Sequence, residues 1–296
     1  MICSVKTLIT LLFCIVQNDT LYSAPNKDSL TIVESLWEQE ELFSGVTFKQ
    51  IWFAQKELFD SNQSLHLIEI APQAEVAFAL AAEPLLTTTG EIAQKHDAFA
   101  AVNGSFFKFT DGENTDDYNS VVYLRINNER LANNTYSDNG QRQRHQEAAV
   151  VIVAGALSIL KATVEEDWET NICGEAVICS GPLLAIDGNL EPLRQEPFYT
   201  TRHPRTVVAK KRDGTVMLFV ADGRHAEAEG MSLDEVQKCL LWLEASDILN
   251  FDGGGSSTMY VQGKGDEGIV NHPSDNRQFD HLGSRRVANA LYVIRL

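Results

Sequence analysis

Apolar and polar positions alternate along most of this chain with the short period of β-structure. Runs over 46–54, 65–70 and 75–80 read as successive strands, set apart by Asn, Ser and Pro. Further strands are predicted over 98–102, 121–126, 148–153, 157–161, 176–179 and 183–186. Stretches 206–210 and 215–221 flank Asp213-Gly214, a tight-turn dipeptide, and so read as a hairpin. Strands over 247–251 and 287–294 complete the set. Helical periodicity is rarer. Asp28 or Ser29 caps a predicted amphipathic helix that carries Ile32, Val33, Leu36, Trp37 and Leu42 and ends before Gly45. Thr88 with Glu91, and Ser232 with Glu235, have the spacing of capping boxes. The first opens a short helix reaching His96; the second opens a helix over 233–243 that offers Leu233, Val236, Leu240, Leu241 and Leu243 for burial. A helical turn is expected near 165–170. Many strands, few helices and no regular alternation between them define an α+β class: strand-rich mixed sheets with a few packed helices in a single compact domain. No repeat period or linker divides 25–97 from 98–296, so the N-terminal helix and strands belong to the same fold. Segments 108–120 and 127–147 are polar and read as long loops rimming a pocket.

The first residues follow a different grammar. Lys6, an apolar stretch over 8–16 and the small-residue end at Ser23-Ala24 read as a secretory signal peptide, cleaved near Ala24. A periplasmic or secreted location follows. No later run is long and apolar enough to insert in a membrane. The formal net charge is −17, and an acidic surface of this kind argues against nucleic acid as a partner. Any anionic substrate then needs local arginines. Beyond the leader the cysteines are Cys173, Cys179 and Cys239. Either Cys173 and Cys179 close a small disulfide loop, or all three are small buried residues; their spacing is no zinc signature.

The chemistry concentrates where predicted strands end. The run 247–251 delivers Asp252, and Gly253, Gly254 and Gly255 follow with no side chain to shield the backbone. Ser256, Ser257 and Thr258 add hydroxyls. Backbone N–H groups in such a loop form a concave anion site without help from lysine. Asn103-Gly104-Ser105-Phe106-Phe107, Arg202-His203-Pro204-Arg205-Thr206, Ala221-Asp222-Gly223-Arg224 and Gly283-Ser284-Arg285-Arg286 share the grammar: a strand end with polar residues, glycine or arginine. Together they supply two carboxylates, several guanidinium groups, an amide, hydroxyls and a glycine nest. That inventory suits a substrate bearing an oxyanion, since guanidinium binds phosphate bidentately and carboxylates act at a sugar carbon.

Asn-Gly-Ser-Phe-Phe, Arg-Thr-Val-Val-Ala, Asp-Gly-Gly-Gly-Ser-Ser-Thr-Met and Arg-Arg-Val-Ala-Asn-Ala-Leu occur in that order from about Phe99 to the C-terminus. In this the chain resembles the phosphodiester glycosidase family. The resemblance implies an exported hydrolase that cleaves a sugar-1-phosphodiester, of the N-acetylglucosamine-1-phosphodiester kind. It implies a catalytic set of Asp252, Asp222 and Asn103, with either Asp acting at the anomeric carbon as base or nucleophile. Arg205, Thr206, Gly223, Gly253, Gly254, Ser256 and Arg286 match the family's recurring positions by that resemblance; with Gly255, Ser257 and Arg285 they form the expected substrate-binding set, in which we expect Arg205 and Arg286 to clamp the phosphate. Two other readings stay open. One is a non-catalytic secreted module that binds an anionic glycan or cell-wall polymer fragment with the same groups. In the other, Asp222 and Asp252 ligate Ca²⁺ or Mg²⁺, although no EF-hand or His-rich spacing is present. No cofactor is otherwise expected. A zinc hydrolase lacks supporting His/Cys spacing, and a serine hydrolase lacks its Gly-x-Ser-x-Gly elbow.

Overall fold

The computed structural model describes residues 26–109, 117–136 and 141–296. The proposed signal peptide lies outside the described residues. Among them the strands form antiparallel sheets of eight, five and four members, in keeping with the α+β expectation. At the centre of the large sheet, Ser61–Ile70, Val216–Ala221, Arg205–Lys211 and Ala245–Asn250 lie side by side. Val216–Ala221 is apolar throughout, as a strand covered on both faces requires. Val208, Leu218, Val220 and Leu249 face a core shared with the two smaller sheets. The alternate residues Val207, Ala209, Met217, Phe219 and Ile248 pack beneath Ile32 of the helix Lys27–Glu34 and beneath Leu233, Val236 and Leu240 of the helix Leu233–Trp242. A slip of one residue in any of these strands would exchange the two sets, so the register is firmly specified.

Both capping boxes form. Thr88 and Glu91 open the helix Thr89–Lys95, which covers the outer face of the four-stranded sheet; Ser232 and Glu235 open Leu233–Trp242. The hairpin about Asp213-Gly214 is Arg205–Lys211 paired with Val216–Ala221. The first helix departs from expectation. Its cap is Asn26, whose side chain accepts the Ser29 N–H at 2.8 Å while the Ser29 hydroxyl accepts the Asn26 N–H at 2.9 Å. It stops at Glu34, and Glu38–Phe43 is instead a strand paired with Val46–Leu58 across a turn at Gly45, φ 81°. Four polar residues followed by Leu42 and Phe43 show neither period clearly, and the glycine turn that supplies a pairing partner decides it. The segment 127–147 is not all loop. Asn127 and Asn128 take left-handed conformations and turn Leu124–Ile126 into the strand Glu129–Ala132. Of the two readings of the cysteines neither holds whole: Cys179 and Cys239 are free and buried, while Cys173 is a free, exposed thiol. No helix among the described residues is long and apolar enough to cross a membrane.

The site follows from pairing register. Arg205 lies opposite Ala221, and Val207 opposite Asn250, so the start of one strand meets the ends of its two neighbours. Asp222 and Asp252 therefore emerge on the same edge as Arg205. The four-stranded sheet brings Asn103 there as well, since Val102 pairs with Met259 and Asn103 with Ala290.

Candidate active site

Asn103 is the brace of this edge. It is fully buried, and its Oδ1 accepts the Thr206 hydroxyl at 2.7 Å and the Thr258 N–H at 3.1 Å. Its Nδ2 donates to the Asp252 carbonyl at 2.7 Å. One amide thus ties both ends of the glycine loop to the central sheet. Asn103 and Thr206 are both buried and turned onto the protein, where they position the loop. Arg205 is buried in the same way. It is 2% exposed, and its guanidinium donates to the carbonyls of Met231 (2.9 Å), Phe198 (2.9 Å) and Thr201 (3.0 Å). Burial pushes its pKa down to about 10. A cation held this way ties the Phe198 segment to the sheet and is not offered to a phosphate.

The two expected carboxylates have opposite surroundings. Asp252 is half-buried at the mouth of the loop. Burial pushes its pKa up to about 6, with the Ser256 hydroxyl, Arg285, the Gly253 N–H and Arg224 pulling the other way. Asp222 is fully buried. Its Oδ1 accepts from Asn271 Nδ2 and the His272 N–H, each at 2.9 Å. Its Oδ2 meets Ser64 Oγ at 2.7 Å, and His66 Nε2 and His272 Nδ1 each at 2.9 Å. Burial alone would raise its pKa, but the His66 and His272 imidazoles outweigh that and hold it well below the usual carboxylate range. Both Asp222 oxygens are thus engaged by protein groups, whereas Asp252 lies partly open at the loop.

The glycines report what lies over the loop. A Cβ on Gly254 would come within 2.7 Å of Arg224 Nη2, and one on Gly255 would strike the Arg285 guanidinium and Asp275 Oδ1. A Cβ on Gly253 would meet the Pro204 carbonyl at 2.7 Å, and one on Gly223 the Pro204 nitrogen at 2.7 Å. Gly254 and Gly255 thus bring the backbone against charged side chains, whereas Gly253 and Gly223 allow close packing of the chain on itself. Arg224, Ser274, Asp275, Arg277 and Arg285 line a cavity of about 420 Å³ beside the loop. Three arginines against one aspartate make it a local cationic pocket in an acidic protein. Ser257, Thr258 and Ser274 carry hydroxyl oxygens that are buried without a protein partner among the described residues, while the Ser256 hydroxyl is turned toward Asp252. Ser257, Thr258 and Ser274 keep their hydrogen-bonding capacity for a ligand.

Arg285 and Arg286 part company. Extended backbone sends neighbours to opposite faces. Arg285 pairs with Asp275 over the glycine loop, while Arg286 is exposed, pairs with Thr88 in register and acts electrostatically on Glu91. Arg224 and Arg285, and not Arg205 or Arg286, are the arginines that face the cavity beside the loop, together with Arg277. Arg224 stands in a stretch that the sequence singles out but without a role, while Ser274, Asp275 and Arg277 do not stand out, nor do Ser64, His66, Asn271 and His272 around Asp222. Asn271-His272-Pro273-Ser274-Asp275 reads as an ordinary polar turn. The titratable groups that converge on Asp222 are the His66 and His272 imidazoles, and Asp252 is not among them.

Comparison with known proteins places these observations. Residues 96–294 match the phosphodiester glycosidase family, and the chain belongs to it. The chain is 26% identical over 200 residues to human N-acetylglucosamine-1-phosphodiester alpha-N-acetylglucosaminidase, a match covering 64% of this chain and 36% of that protein. The mouse protein of the same name is 35% identical over 105 residues, 36% of this chain and 19% of that one. The chain thus spans about a third or less of the length of these relatives. The zebrafish N-acetylglucosamine-1-phosphodiester alpha-N-acetylglucosaminidase catalytic domain shares the fold, with a TM-score of 0.63 at 17% identity over 88% of each chain.

Proposed function

We propose that this protein is an exported glycoside hydrolase that cleaves the bond between the anomeric carbon of a sugar and the oxygen of a phosphodiester. The observation that carries this reading is the half-buried Asp252, with its raised pKa, beside Arg285 and Arg224 on a bare glycine loop. Arg224 and Arg285, with the loop N–H groups and the unpartnered Ser274 hydroxyl, hold the phosphate. Ionised Asp252 acts at the anomeric centre, either by taking a proton from the attacking water or by attacking the carbon directly. The bond from the anomeric carbon to oxygen breaks, and the phosphate keeps the electron pair. Its second pKa is near ~6, so the arginines can stabilise the leaving group without a strong acid. No step of this reading uses a cofactor. Similarity to the N-acetylglucosamine-1-phosphodiester enzymes favours N-acetylglucosamine as the sugar, and the signal-like leader favours the periplasm or exterior.

Isotopic water tests the reading directly. Turnover of a sugar-1-phosphodiester in H₂¹⁸O should place the label on the released sugar. Label on the phosphate would mean that the P–O bond breaks and that the protein is a phosphodiesterase. Stoichiometric binding without release of either product would make it a glycan-binding module.

A further inference from the structure

The surroundings of Asp222 contain more than the proposed reaction uses. Asp222 is completely buried, and its ion-pair partners among the described residues are His66 and His272, neither a permanent cation. A buried carboxylate is ordinarily matched by a fixed positive charge or a metal. Its oxygens are also oversubscribed. Five protein groups press on a carboxylate with about four lone-pair sites, and Ser64, His66 and His272 all converge on Oδ2. His66 Nε2, Asp222 Oδ2 and His272 Nδ1 lie within 4.8 Å of one another.

The geometry points to a site for one divalent transition metal of zinc's class, held by His66 Nε2, Asp222 Oδ2 and His272 Nδ1. Two imidazoles and one carboxylate are a donor set for Zn²⁺, Co²⁺ or Fe²⁺ and a poor one for Ca²⁺ or Mg²⁺. The nitrogen-to-oxygen distances of 2.9 Å are those of hydrogen bonds; a tetrahedral ion with bonds of roughly 2.05 Å spaces its donors about 3.3 Å apart, so the three groups need open by only a few tenths of an ångström to take it. A metal lets both imidazoles offer lone pairs, supplies the missing positive charge and relieves the crowding at Oδ2. Ser64 Oγ, 3.1 Å from His66 Nε2, is next in reach. Asn271 and the His272 N–H fix the carboxylate through its other oxygen. His272 is 21% exposed in its side chain and provides the way in from solvent, whereas His66 is 4% exposed. His66 Nδ1 is buried without an acceptor. An outer partner on a ligating imidazole is worth 10–100-fold in affinity, so micromolar binding, on the order of 1–10 μM, is expected in place of nanomolar.

The site is independent of the proposed activity, and so is its test. The full chain, stripped by chelator and dialysed, is titrated with Co²⁺ and with Zn²⁺ by calorimetry and visible absorption. One equivalent should bind, Zn²⁺ should displace Co²⁺, and Ca²⁺ in large excess should not. His272→Gln, at the half-exposed position, should weaken binding at least 30-fold while the protein melts as the metal-free wild type does. Cys173→Ser should bind as wild type, which separates this site from the exposed thiol. Lack of saturable binding up to about 1 mM, or full-affinity binding by His272→Gln, would overturn the assignment.

Discussion

Arg285 holds Asp275 with two donors on one oxygen: Nε at 2.9 Å and Nη2 at 2.5 Å from Oδ1, directly against the backbone of Gly255. Arg286, its chain neighbour, faces the other way, toward Glu91. The two arginines should therefore separate cleanly in kinetics. Arg285→Gln should lower kcat/KM for a phosphodiester by on the order of 10²–10³, as for a lost oxyanion donor. Arg286→Gln should stay within about 2-fold. Steady-state kinetics of both variants on one substrate decides it, and equal losses would mean that the arginine assignment is wrong.

Gly255 gives a steric check on the same geometry. In Gly255→Ala the new Cβ meets the far ends of Arg285 and Asp275, which are side chains that can swing aside. Activity should fall at least 10-fold while thermal unfolding changes by only a few degrees. A variant that keeps full activity would show that the pair need not sit over the loop.

Asp252 carries a pH signature. Burial places its pKa at about 6, and the proposed chemistry needs it ionised, so kcat/KM should rise as pH passes upward through about 6. Its linkage to stability has the opposite sense. The folded state holds the proton more tightly than the unfolded chain, so the charge weighs against folding progressively from about pH 4 to pH 6 and fully above that. Asp252→Asn should therefore gain about 1–3 kcal/mol at pH 7.5, discounted for partial exposure, and almost nothing at pH 4. Denaturant melts at the two pH values read this out. A variant less stable than wild type at pH 7.5 would contradict the burial argument.

Asn103 and Thr206 should behave as structural residues. Thr206→Val removes the hydroxyl that donates to Asn103 Oδ1 but keeps the shape, at a cost of about 1–2 kcal/mol. Asn103→Ala leaves the Thr258 N–H, the Thr206 hydroxyl and the Asp252 carbonyl without their partner and should cost more, about 3 kcal/mol or above. Equilibrium unfolding measures both, and an Asn103 variant of native stability would return that residue to the list of reacting groups.

Much of the fold is legible in the sequence because it rests on local signals. The capping boxes at Thr88 and Ser232 act within one turn, and the Asp213-Gly214 hairpin sets its own register. Asp252 and the glycines are legible for the same reason: a strand that runs into three glycines and hydroxyls is a contiguous feature. What stayed hidden depends on which way a side chain points. The Arg205 to Thr206 stretch looks like a phosphate clamp until the sheet turns both residues inward. Arg285 and Arg286 differ only by the alternation of one strand. His66 and His272 are 206 residues apart in the chain and meet only because Asp222 lies between them. Glu38–Phe43 lost its expected helix to a partner strand that only the hairpin at Gly45 supplies.

The most direct test is release of free sugar from a sugar-1-phosphodiester by the purified wild-type protein and by Asp252→Asn, side by side at pH 7.5. The account predicts release by wild type and a fall of at least 10²-fold in the variant, with the variant's melting temperature equal or higher. Retention of more than about a tenth of the wild-type rate by a folded Asp252→Asn protein would remove Asp252 from the reaction.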